Sequence, residues 1–244
     1  MHHFFLTPAE PLTVGGLITL PPDISHQVGH VLRLRVGARV AVLDGQGSVA
    51  EVELTTVGRN AVVGQVVEVR PAPAPPQPAL TLYAAVLKGE RFTWTLQKAT
   101  ELGVAAIVPL ITERTIVPWA EASSPAKHER WARIIREAAE QSGRGLLPHL
   151  HAPLRWPVAC QRLADEGGPV LLFWEEATAP CHPALTAARA ASHVAAVIGP
   201  EGGLSAGELD IAAVHGLTAP LSLGPLVLRA ETAAMAVCAL VLLG

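Results

Sequence analysis

The sequence predicts two domains: a small antiparallel β domain, and an α/β domain whose mainly parallel sheet carries helices on both faces. A proline-rich segment at residues 71–78 separates residues 1–70 from residues 79–244, and its composition is typical of a stiff extended linker. Before the linker, short β-rich runs follow one another through turn signals, as in a small barrel or sandwich. After it, strand-like and helix-like runs alternate, which is the pattern of a parallel sheet covered by helices.

The first domain is predicted to contain three strands and one short helix. The strands are expected at residues 38–43, 48–56 and 61–69. Turn-forming residues separate them at residues 44–47 (Asp-Gly-Gln-Gly) and 58–60 (Gly-Arg-Asn). The helix is expected at about residues 24–34, ahead of the strands.

The second domain is predicted to alternate strands with helices. Strands are expected at residues 80–86, 105–111, 170–174, 193–198 and 217–223. Helices are expected at residues 92–102 and 127–141, with others between the later strands and a last one from about residue 231. In the helix at 127–141, the i, i+3, i+4, i+7 spacing of a buried stripe is occupied by Trp131, Ile134, Ile135 and Ala138. Three arginines lie mostly outside this stripe, namely Arg130, Arg133 and Arg136.

Composition indicates an ordinary globular protein. Half of the residues are apolar, so substantial cores can form. The longest apolar runs are too short to span a bilayer, and the first residues lack the basic start and long apolar stretch of a signal peptide. We therefore expect a cytoplasmic protein that makes no membrane contact. The widely spaced cysteines Cys160, Cys181 and Cys238 argue against a disulfide framework or a zinc site.

The charge distribution bears on nucleic-acid binding. A formal net charge of -3 argues against a protein that coats nucleic acid nonspecifically, because Lys and Arg drive phosphate binding. Residues 88–144 nevertheless hold nine of the eighteen Lys and Arg against seven acids, whereas residues 145–244 hold four against eight. Any RNA contact is therefore expected to be local and centred on residues 88–144.

The most informative stretch is Ile198-Gly-Pro-Glu-Gly-Gly-Leu-Ser-Ala-Gly-Glu-Leu-Asp210. Ser205 followed by Glu208 forms a capping box, and Leu204 with Leu209 occupies the positions of a hydrophobic staple. These signals predict a helix that begins near Ala206.

The glycines in this stretch indicate a loop that a ligand can approach closely. Gly199, Gly202 and Gly203 lie between a predicted strand and a predicted helix, and such loops in parallel sheets are where ligands bind. A merely tight turn is the alternative. The chain has no G-x-x-x-x-G-K-[ST] phosphate loop, and no G-x-G-x-x-G opens a helix after a strand. Nucleotide hydrolysis and dinucleotide-dependent dehydrogenation are correspondingly disfavoured.

A second glycine loop occurs in Leu221-Ser-Leu-Gly-Pro-Leu-Val-Leu-Arg-Ala-Glu-Thr-Ala233, again between a strand end and a helix. It contains two charged residues in apolar surroundings, Arg229 and Glu231. In the structural alternative, Glu231 lies in the first turn of the helix, where the helix dipole favours a carboxylate, and Arg229 merely neutralises the charge of Glu231. Two such loops in one sheet make a shared ligand pocket more probable than either loop alone.

Several short motifs together carry a resemblance to a known family. They are His30-Val-Leu-Arg33, Lys88-Gly-Glu-Arg91, Gln97-Lys-Ala-Thr-Glu-Leu-Gly103, residues 137–144 with Glu140, Gln141 and Arg144, residues 198–203, and Leu228-Arg-Ala-Glu-Thr232. In this combination the chain resembles the SPOUT class of methyltransferases, specifically the RsmE-type family, which methylates N3 of a uridine in 16S ribosomal RNA. The combination is specific, although each motif alone is weak.

The resemblance implies a PUA-like barrel in front of a sheet whose C-terminal end is tied in a deep trefoil knot, a topology that ordinary rules do not predict. It implies S-adenosyl-L-methionine (SAM) as the cofactor, a homodimer, and as substrate the uridine at position 1498 in the assembled small (30S) subunit. SAM is expected against Ile198, Gly199, Glu201, Gly202, Gly203, Leu223, Gly224, Leu228 and Thr232. No metal is expected, because the sulfonium already activates the methyl group. His26 and His30 have the i, i+4 spacing of a helical metal pair, but no carboxylate or cysteine lies at a motif spacing beside them.

The resemblance also suggests catalytic and RNA-binding residues. We expect Arg229 to stabilise or orient the uracil, and Glu231 to act as the base or to position Arg229. RNA contacts are expected from Arg33, Lys88, Arg91, Lys98, Arg114 and Arg144, although each could be a solvated surface charge. The sequence departs from the family at Leu226, where Arg or Lys is usual, and at Ala230, where Thr is frequent.

Three other functions stay open at the level of sequence. A SPOUT methyltransferase for another base or a ribose 2′-OH of tRNA or rRNA would share the same motifs. A noncatalytic RNA-binding or ribosome-assembly protein could retain the fold. This alternative is kept because Leu226 stands where the family usually has a basic residue. A doubly wound dehydrogenase is a distant third.

Overall fold

The computed structural model describes most of the chain, namely residues 1–6, 12–58, 61–217 and 219–244. The chain divides into two compact units. The first, the β unit, comprises Met1–Ala74 and Arg136–Leu147. The second, the α/β unit, comprises Pro75–Ile135 and Pro148–Gly244.

This division differs from the predicted domain boundaries in two respects. The last strand of the β unit runs to Pro71, so the predicted linker begins inside that strand. The β unit also takes in Arg136–Leu147, which the sequence analysis assigns to the second domain. Within this segment Ala139 is fully buried, and the Glu140 carboxylate accepts a hydrogen bond from the Phe5 amide at 2.9 Å. Glu140 and Phe5 are 135 positions apart, so no local pattern predicts the contact.

The β unit contains a five-stranded sheet with the spatial order β1-β3-β4-β5-β2. Its strands are β1 (His3–Phe5), β2 (Leu17–Leu20), β3 (Arg39–Leu43), β4 (Ser48–Val57) and β5 (Val62–Pro71). β1 pairs with β3 in parallel, and the other neighbours pair antiparallel. The sequence analysis predicts β3, β4 and β5. It misses β1 and β2, whose three and four residues are too few to show an alternating pattern.

The predicted helix at residues 24–34 is formed as α1 (Pro22–His26) followed by a π-helical turn (Gln27–Val31). It begins earlier than predicted, with Pro22 in the first helical position. Proline is favoured there because the N–H of that position has no hydrogen-bond partner within the helix. It ends earlier because Arg33 has a φ of +52°, which a helix cannot accommodate.

The first predicted turn, at residues 44–47, joins β3 to β4. The Asp44 carboxylate accepts hydrogen bonds from the amides of Gln46 at 2.8 Å and Ser48 at 2.9 Å. A side chain that binds its own following backbone in this way stabilises a turn. In the second predicted turn, at residues 58–60, residues 59 and 60 lie outside the described chain.

The α/β unit contains a parallel sheet with the order β10-β11-β6-β7-β8, and β9 also pairs with β7. The strands are β6 (Ala79–Ala85), β7 (Ala106–Ile111), β8 (His149–Leu150), β9 (Leu154–Arg155), β10 (Val170–Phe173) and β11 (His193–Ile198). The helices are α2 (Glu90–Leu102), α3 (Trp119–Ala122), α4 (Pro125–Ser142), α5 (Trp156–Glu166), α6 (His182–Arg189), α7 (Ala206–Val214) and α8 (Ala230–Leu242). Throughout the described chain, every helix is too short or too polar to span a bilayer.

Successive residues of the central strand β6 face opposite cores. Leu82 packs in a cluster to which α2, α4, α6 and α8 contribute, whereas Tyr83 packs in a cluster with α5 and α7. Because side chains alternate along a strand, this arrangement covers both faces of the sheet with helices, and the predicted fold class is confirmed. The predicted stripe on α4 is buried as well, with Trp131 2% exposed and Ile135 2% exposed.

The prediction of a strand at residues 217–223 is wrong. In the described part of that range, Leu221 bridges to Phe173 and Ser222 bridges to Pro180, and no longer ladder forms. Pro220 has no N–H to donate, and β10, the neighbouring strand, already ends at Phe173. Residue 218 lies outside the described chain.

Replacing Trp131 with Ala is expected to lower the free energy of unfolding by about 3–5 kcal/mol, because it empties a large buried site that packs against Phe92 with ring centroids 4.8 Å apart. Urea unfolding measures the change. The matched control is Arg133→Ala on the same helix, an exposed site where the change should stay within about 0.5 kcal/mol. Equal losses in the two variants would contradict the assignment of Trp131 to the core.

Candidate functional site

Two loops of the α/β unit surround its main cavity. The first glycine loop, residues 199–205, connects β11 to α7, and the second glycine loop, residues 222–229, precedes α8. The cavity has a volume of about 420 Å³, within the range of about 300–1,000 Å³ that is typical of small-molecule sites. It is lined by Arg91, Phe173, Trp174, Glu175, Ile198, Gly199, Pro200, Glu201, Gly203, Leu221, Ser222, Leu223, Gly224, Leu226, Val227, Leu228, Arg229, Ala230 and Ala233.

The first glycine loop ends at a capping box, as predicted. The Ser205 hydroxyl accepts the Glu208 amide at 3.3 Å, and the Glu208 carboxylate accepts the Ser205 amide at 2.9 Å. The other carboxylate oxygen of Glu208 accepts the Glu113 amide at 2.7 Å, and the Ser205 hydroxyl donates to the Glu113 carboxylate at 2.6 Å. The end of the loop is therefore tied to the segment that follows β7.

Backbone geometry explains why this loop contains glycines. Gly203 has a φ of +70°, and a Cβ at this position would collide with the Glu175 carboxylate. A Cβ at Gly202 would lie 3.3 Å from the Arg114 side chain. At both positions a side chain from another segment packs directly against the loop backbone. A residue with a Cβ would force that side chain to move, whereas glycine does not.

Two arginines contact the first glycine loop from other elements. Arg114, after β7, donates from Nη1 to the Gly202 carbonyl at 2.6 Å. Arg91, in α2, places Nη1 3.2 Å from Glu201 Oε1 and Nε 4.0 Å from Glu231 Oε1. Arg91 thus joins the first loop to the start of α8.

The second glycine loop is held differently. Ser222 Oγ donates to the Gly224 carbonyl and accepts the Gly224 amide, each at 3.2 Å, and Gly224 has a φ of +124°. Beyond this turn Leu226 is 78% and Val227 81% exposed. Arg229 is the N-cap residue of α8, and its side chain is exposed at the cavity without an ion pair in the described chain.

Two buried polar atoms have no hydrogen-bond partner within the described chain, the indole nitrogen of Trp174 and Glu231 Oε2. Buried donors and acceptors are nearly always paired in proteins, so each such atom calls for a partner. Trp174 lines the cavity, and a ligand with an acceptor atom there would satisfy its N–H.

The structure brings most of the predicted cofactor-binding residues together. Those that line the cavity are Ile198, Gly199, Glu201, Gly203, Leu223, Gly224 and Leu228. Gly202 and Thr232 do not line it: the Gly202 carbonyl is held by Arg114, and Thr232 is exposed on α8.

The predicted catalytic pair is only partly brought together. Arg229 lines the cavity, but the cation that faces Glu231 is Arg91. Among the described residues, no ion pair joins Glu231 to Arg229, so the structure gives no support to the hypothesis that Glu231 positions Arg229. Glu231 is 8% exposed and faces the α2 side instead.

The predicted RNA-binding residues fall into different environments. Arg33 and Lys88 are exposed, and Lys98 is ion-paired to Glu101 one turn along α2 at 2.8 Å. Arg144 is partly buried in the β unit, and burial lowers its pKa. The remaining two, Arg91 and Arg114, contact the first glycine loop as described above.

The sequence analysis misses several residues of the site, among them Trp174, Glu175 and Glu113. Trp174 and Glu175 follow β10, and Glu113 follows β7. A signal for them exists, because the carboxyl ends of parallel strands meet at one edge of the sheet and residues just beyond these ends face the same site. The sequence order of the strands alone does not reveal which ends are neighbours.

Comparisons with known proteins agree with this geometry. Residues 74–242 match the family described as the RNA methyltransferase domain, and residues 20–67 match the RNA methyltransferase PUA domain. The chain is 35% identical to ribosomal RNA small subunit methyltransferase E of Synechocystis sp., over 93% of this chain and 73% of that protein. It is 33% identical to the protein of that name from Mycobacterium bovis, over 90% and 84%. A crystal structure of ribosomal RNA small subunit methyltransferase E from Neisseria gonorrhoeae, bound to SAM, superposes with a TM-score of 0.86 at 29% identity, covering 98% of this chain and 95% of that one.

Proposed function

The chain belongs to the family of ribosomal RNA small subunit methyltransferases E, and on this premise we propose that it transfers the methyl group of SAM to N3 of a uridine in 16S ribosomal RNA. The observation that carries the proposal is the cavity formed by the two glycine loops, with the exposed guanidinium of Arg229 at its wall. The substrate that follows from the family is the small ribosomal subunit, at the uridine of position 1498.

The cavity fits SAM in size and chemistry. Its volume of about 420 Å³ suits a ligand of this size. The carboxylates of Glu175 and Glu201 suit a ligand with a sulfonium and an ammonium group, and Leu223 and Leu228 provide apolar contacts. The buried indole N–H of Trp174 offers a hydrogen bond to an acceptor of the ligand.

When bound, SAM supplies a methyl group that the sulfonium already activates, so N3–CH₃ bond formation accompanies cleavage of the S–CH₃ bond and no metal is needed. The protein must align the uracil with this group and promote loss of the N3 proton. The exposed guanidinium of Arg229, which has no ion pair among the described residues, stabilises the negative charge that develops on O2 and O4, and the proton leaves to solvent. Glu231 is buried against Arg91, so we assign it a positioning role.

We also propose that the protein acts as a homodimer in the cytoplasm, where small subunits are assembled, and that the family's trefoil knot encloses the two glycine loops. Exposed apolar side chains at both ends of α8 support a second copy of the chain as the partner. Leu226 and Val227 precede this helix, and Leu240 and Leu243 lie at its end, at 38% and 68% exposure. Apolar surface of this kind is typical of an interface.

The proposed reaction is tested by transfer of labelled methyl from SAM to small subunits that lack the modification, followed by nucleoside analysis. We expect 3-methyluridine as the product. Label on a ribose or on another base would indicate a different SPOUT activity. SAM binding without transfer to any RNA would favour a noncatalytic role in ribosome assembly.

Arg229→Ala is expected to reduce turnover at least about 100-fold, because it removes the charge that stabilises the uracil anion. The dissociation constant of SAM should change by less than about threefold, since the proposed SAM contacts come from the carboxylates of Glu175 and Glu201, the Trp174 indole and apolar side chains rather than from Arg229. Single-turnover methylation and calorimetric SAM titration measure the two quantities. Arg133→Ala, an exposed arginine of the same unit, is the control. Near-normal turnover in Arg229→Ala would exclude the catalytic assignment.

The double variant Leu226→Ser/Leu243→Ser is expected to weaken self-association at least about tenfold, because it removes apolar surface from the proposed interface. Sedimentation equilibrium measures the dimer dissociation constant. Val158→Ser, at a site in α5 that is 54% exposed, is the matched control and should leave association unchanged. A wild-type monomer at micromolar concentration would refute the dimer.

A further inference from the structure

We infer that Arg91 and Arg114 are positioning residues that hold the first glycine loop in its cofactor-binding shape, and that neither serves as an RNA phosphate contact. The inference rests on the proposed function, because it assumes that this loop binds SAM. It reassigns two arginines whose sequence motifs alone suggest RNA binding.

Arg114 holds the middle of the loop. Its Nη1 donates to the Gly202 carbonyl at 2.6 Å, a short distance that is typical of a charge-assisted hydrogen bond. Its aliphatic stem lies against Gly202, where a Cβ would approach Cδ to 3.3 Å. The preceding residue, Glu113, grips the end of the loop through Ser205 and Glu208. The segment after β7 therefore fixes the loop at two points.

Arg91 holds the loop from the side of α2. Its guanidinium lies 3.2 Å from Glu201 in the loop and 4.0 Å from Glu231 in α8. Glu231 is 8% exposed, and a buried carboxylate needs a cation or hydrogen bonds to remain charged. Arg91 supplies that cation and at the same time links the loop to the helix that follows the second loop.

The local charge balance disfavours a phosphate contact. One guanidinium lies between two carboxylates at Arg91, so this group is net negative. Arg114 directly follows Glu113, whose carboxylate is part of the same loop contact. Phosphate binding requires cations that are free to neutralise it, and these two arginines are committed elsewhere.

The consequence concerns cofactor affinity. Gly199, Glu201 and Gly203 line the cavity together with Arg91, whereas Arg114 contacts the loop at Gly202 from outside the cavity lining, so Arg114→Ala isolates the effect of loop shape. Without either contact, the loop adopts conformations that do not bind SAM. The apparent affinity for SAM then falls in proportion to the fraction of molecules whose loop keeps the binding conformation.

The test compares Arg91→Ala and Arg114→Ala with the wild type and with the exposed control Arg133→Ala. Calorimetric titration gives the dissociation constant of SAM. Binding to small subunits that lack the modification, measured over a salt series, gives RNA affinity and its salt slope. We expect each variant to weaken SAM binding about tenfold or more, with RNA affinity and salt slope within about twofold of wild type. Arg114→Lys should recover part of the SAM affinity, because an ammonium can still donate to one carbonyl.

Unchanged SAM affinity in both alanine variants, with a salt slope lower by about one in each, would overturn the inference and identify the arginines as phosphate contacts. Loss of SAM affinity in the control as well would also overturn it, because the effect would then come from general charge removal. Thermal unfolding of each variant confirms that it is folded before titration. Failure of the wild type to bind SAM would instead reject the proposed function, so the two failures are distinguishable.

Discussion

The buried carboxylate of Glu208 is the constraint on which the geometry of the site depends. It is 5% exposed, and an ionised carboxylate can only accept hydrogen bonds, so amide donors must be brought to both oxygens. One donor is Ser205, at the end of the first glycine loop, and the other is Glu113, just beyond β7. A single side chain thus fixes the start of α7, the end of the loop and the segment that leaves β7, a strand separated from β11 by β6. Loss of either bond would leave a buried acceptor unsatisfied, at a cost of about 1–3 kcal/mol.

The parallel sheet determines which segments this constraint brings together. Because β6, β7, β10 and β11 are parallel, their carboxyl ends share one edge, and the segments that leave them converge there. The first glycine loop follows β11, Trp174 and Glu175 follow β10, and Glu113 follows β7. The φ of +70° at Gly203, where the Glu175 carboxylate also approaches the backbone, shows why the loop needs glycine at this point. Convergence at one edge turns separate loops into a single cavity.

The range of each interaction decides what could be predicted from the sequence. The capping box spans the four residues from Ser205 to Glu208, and it predicts that α7 begins near Ala206, where the helix does begin. The stripe on α4 repeats every three or four residues and predicts its buried face. In contrast, Arg114 and Gly202 are 88 positions apart, and Arg91 and Glu201 are 110 apart. Such contacts follow from the order of the strands in the sheet, which no local sequence pattern encodes. The sequence therefore identifies both arginines as cations but does not identify the groups that they contact.

The same contacts bear on Leu226, where the sequence resemblance leads us to expect a basic residue. Leu226 is 78% exposed, so leucine here places no charge at the cavity rim and disturbs no core. Of the described residues that line the cavity, only Arg91 and Arg229 are cationic, and Arg91 is neutralised by two carboxylates. In the proposed reaction, positive potential at the uracil therefore depends on Arg229, which has no ion pair in the described chain. In the proposed reaction, the cations of the described cavity lining and loop contacts divide two tasks: Arg91 and Arg114 maintain the loop, and Arg229 meets the uracil anion.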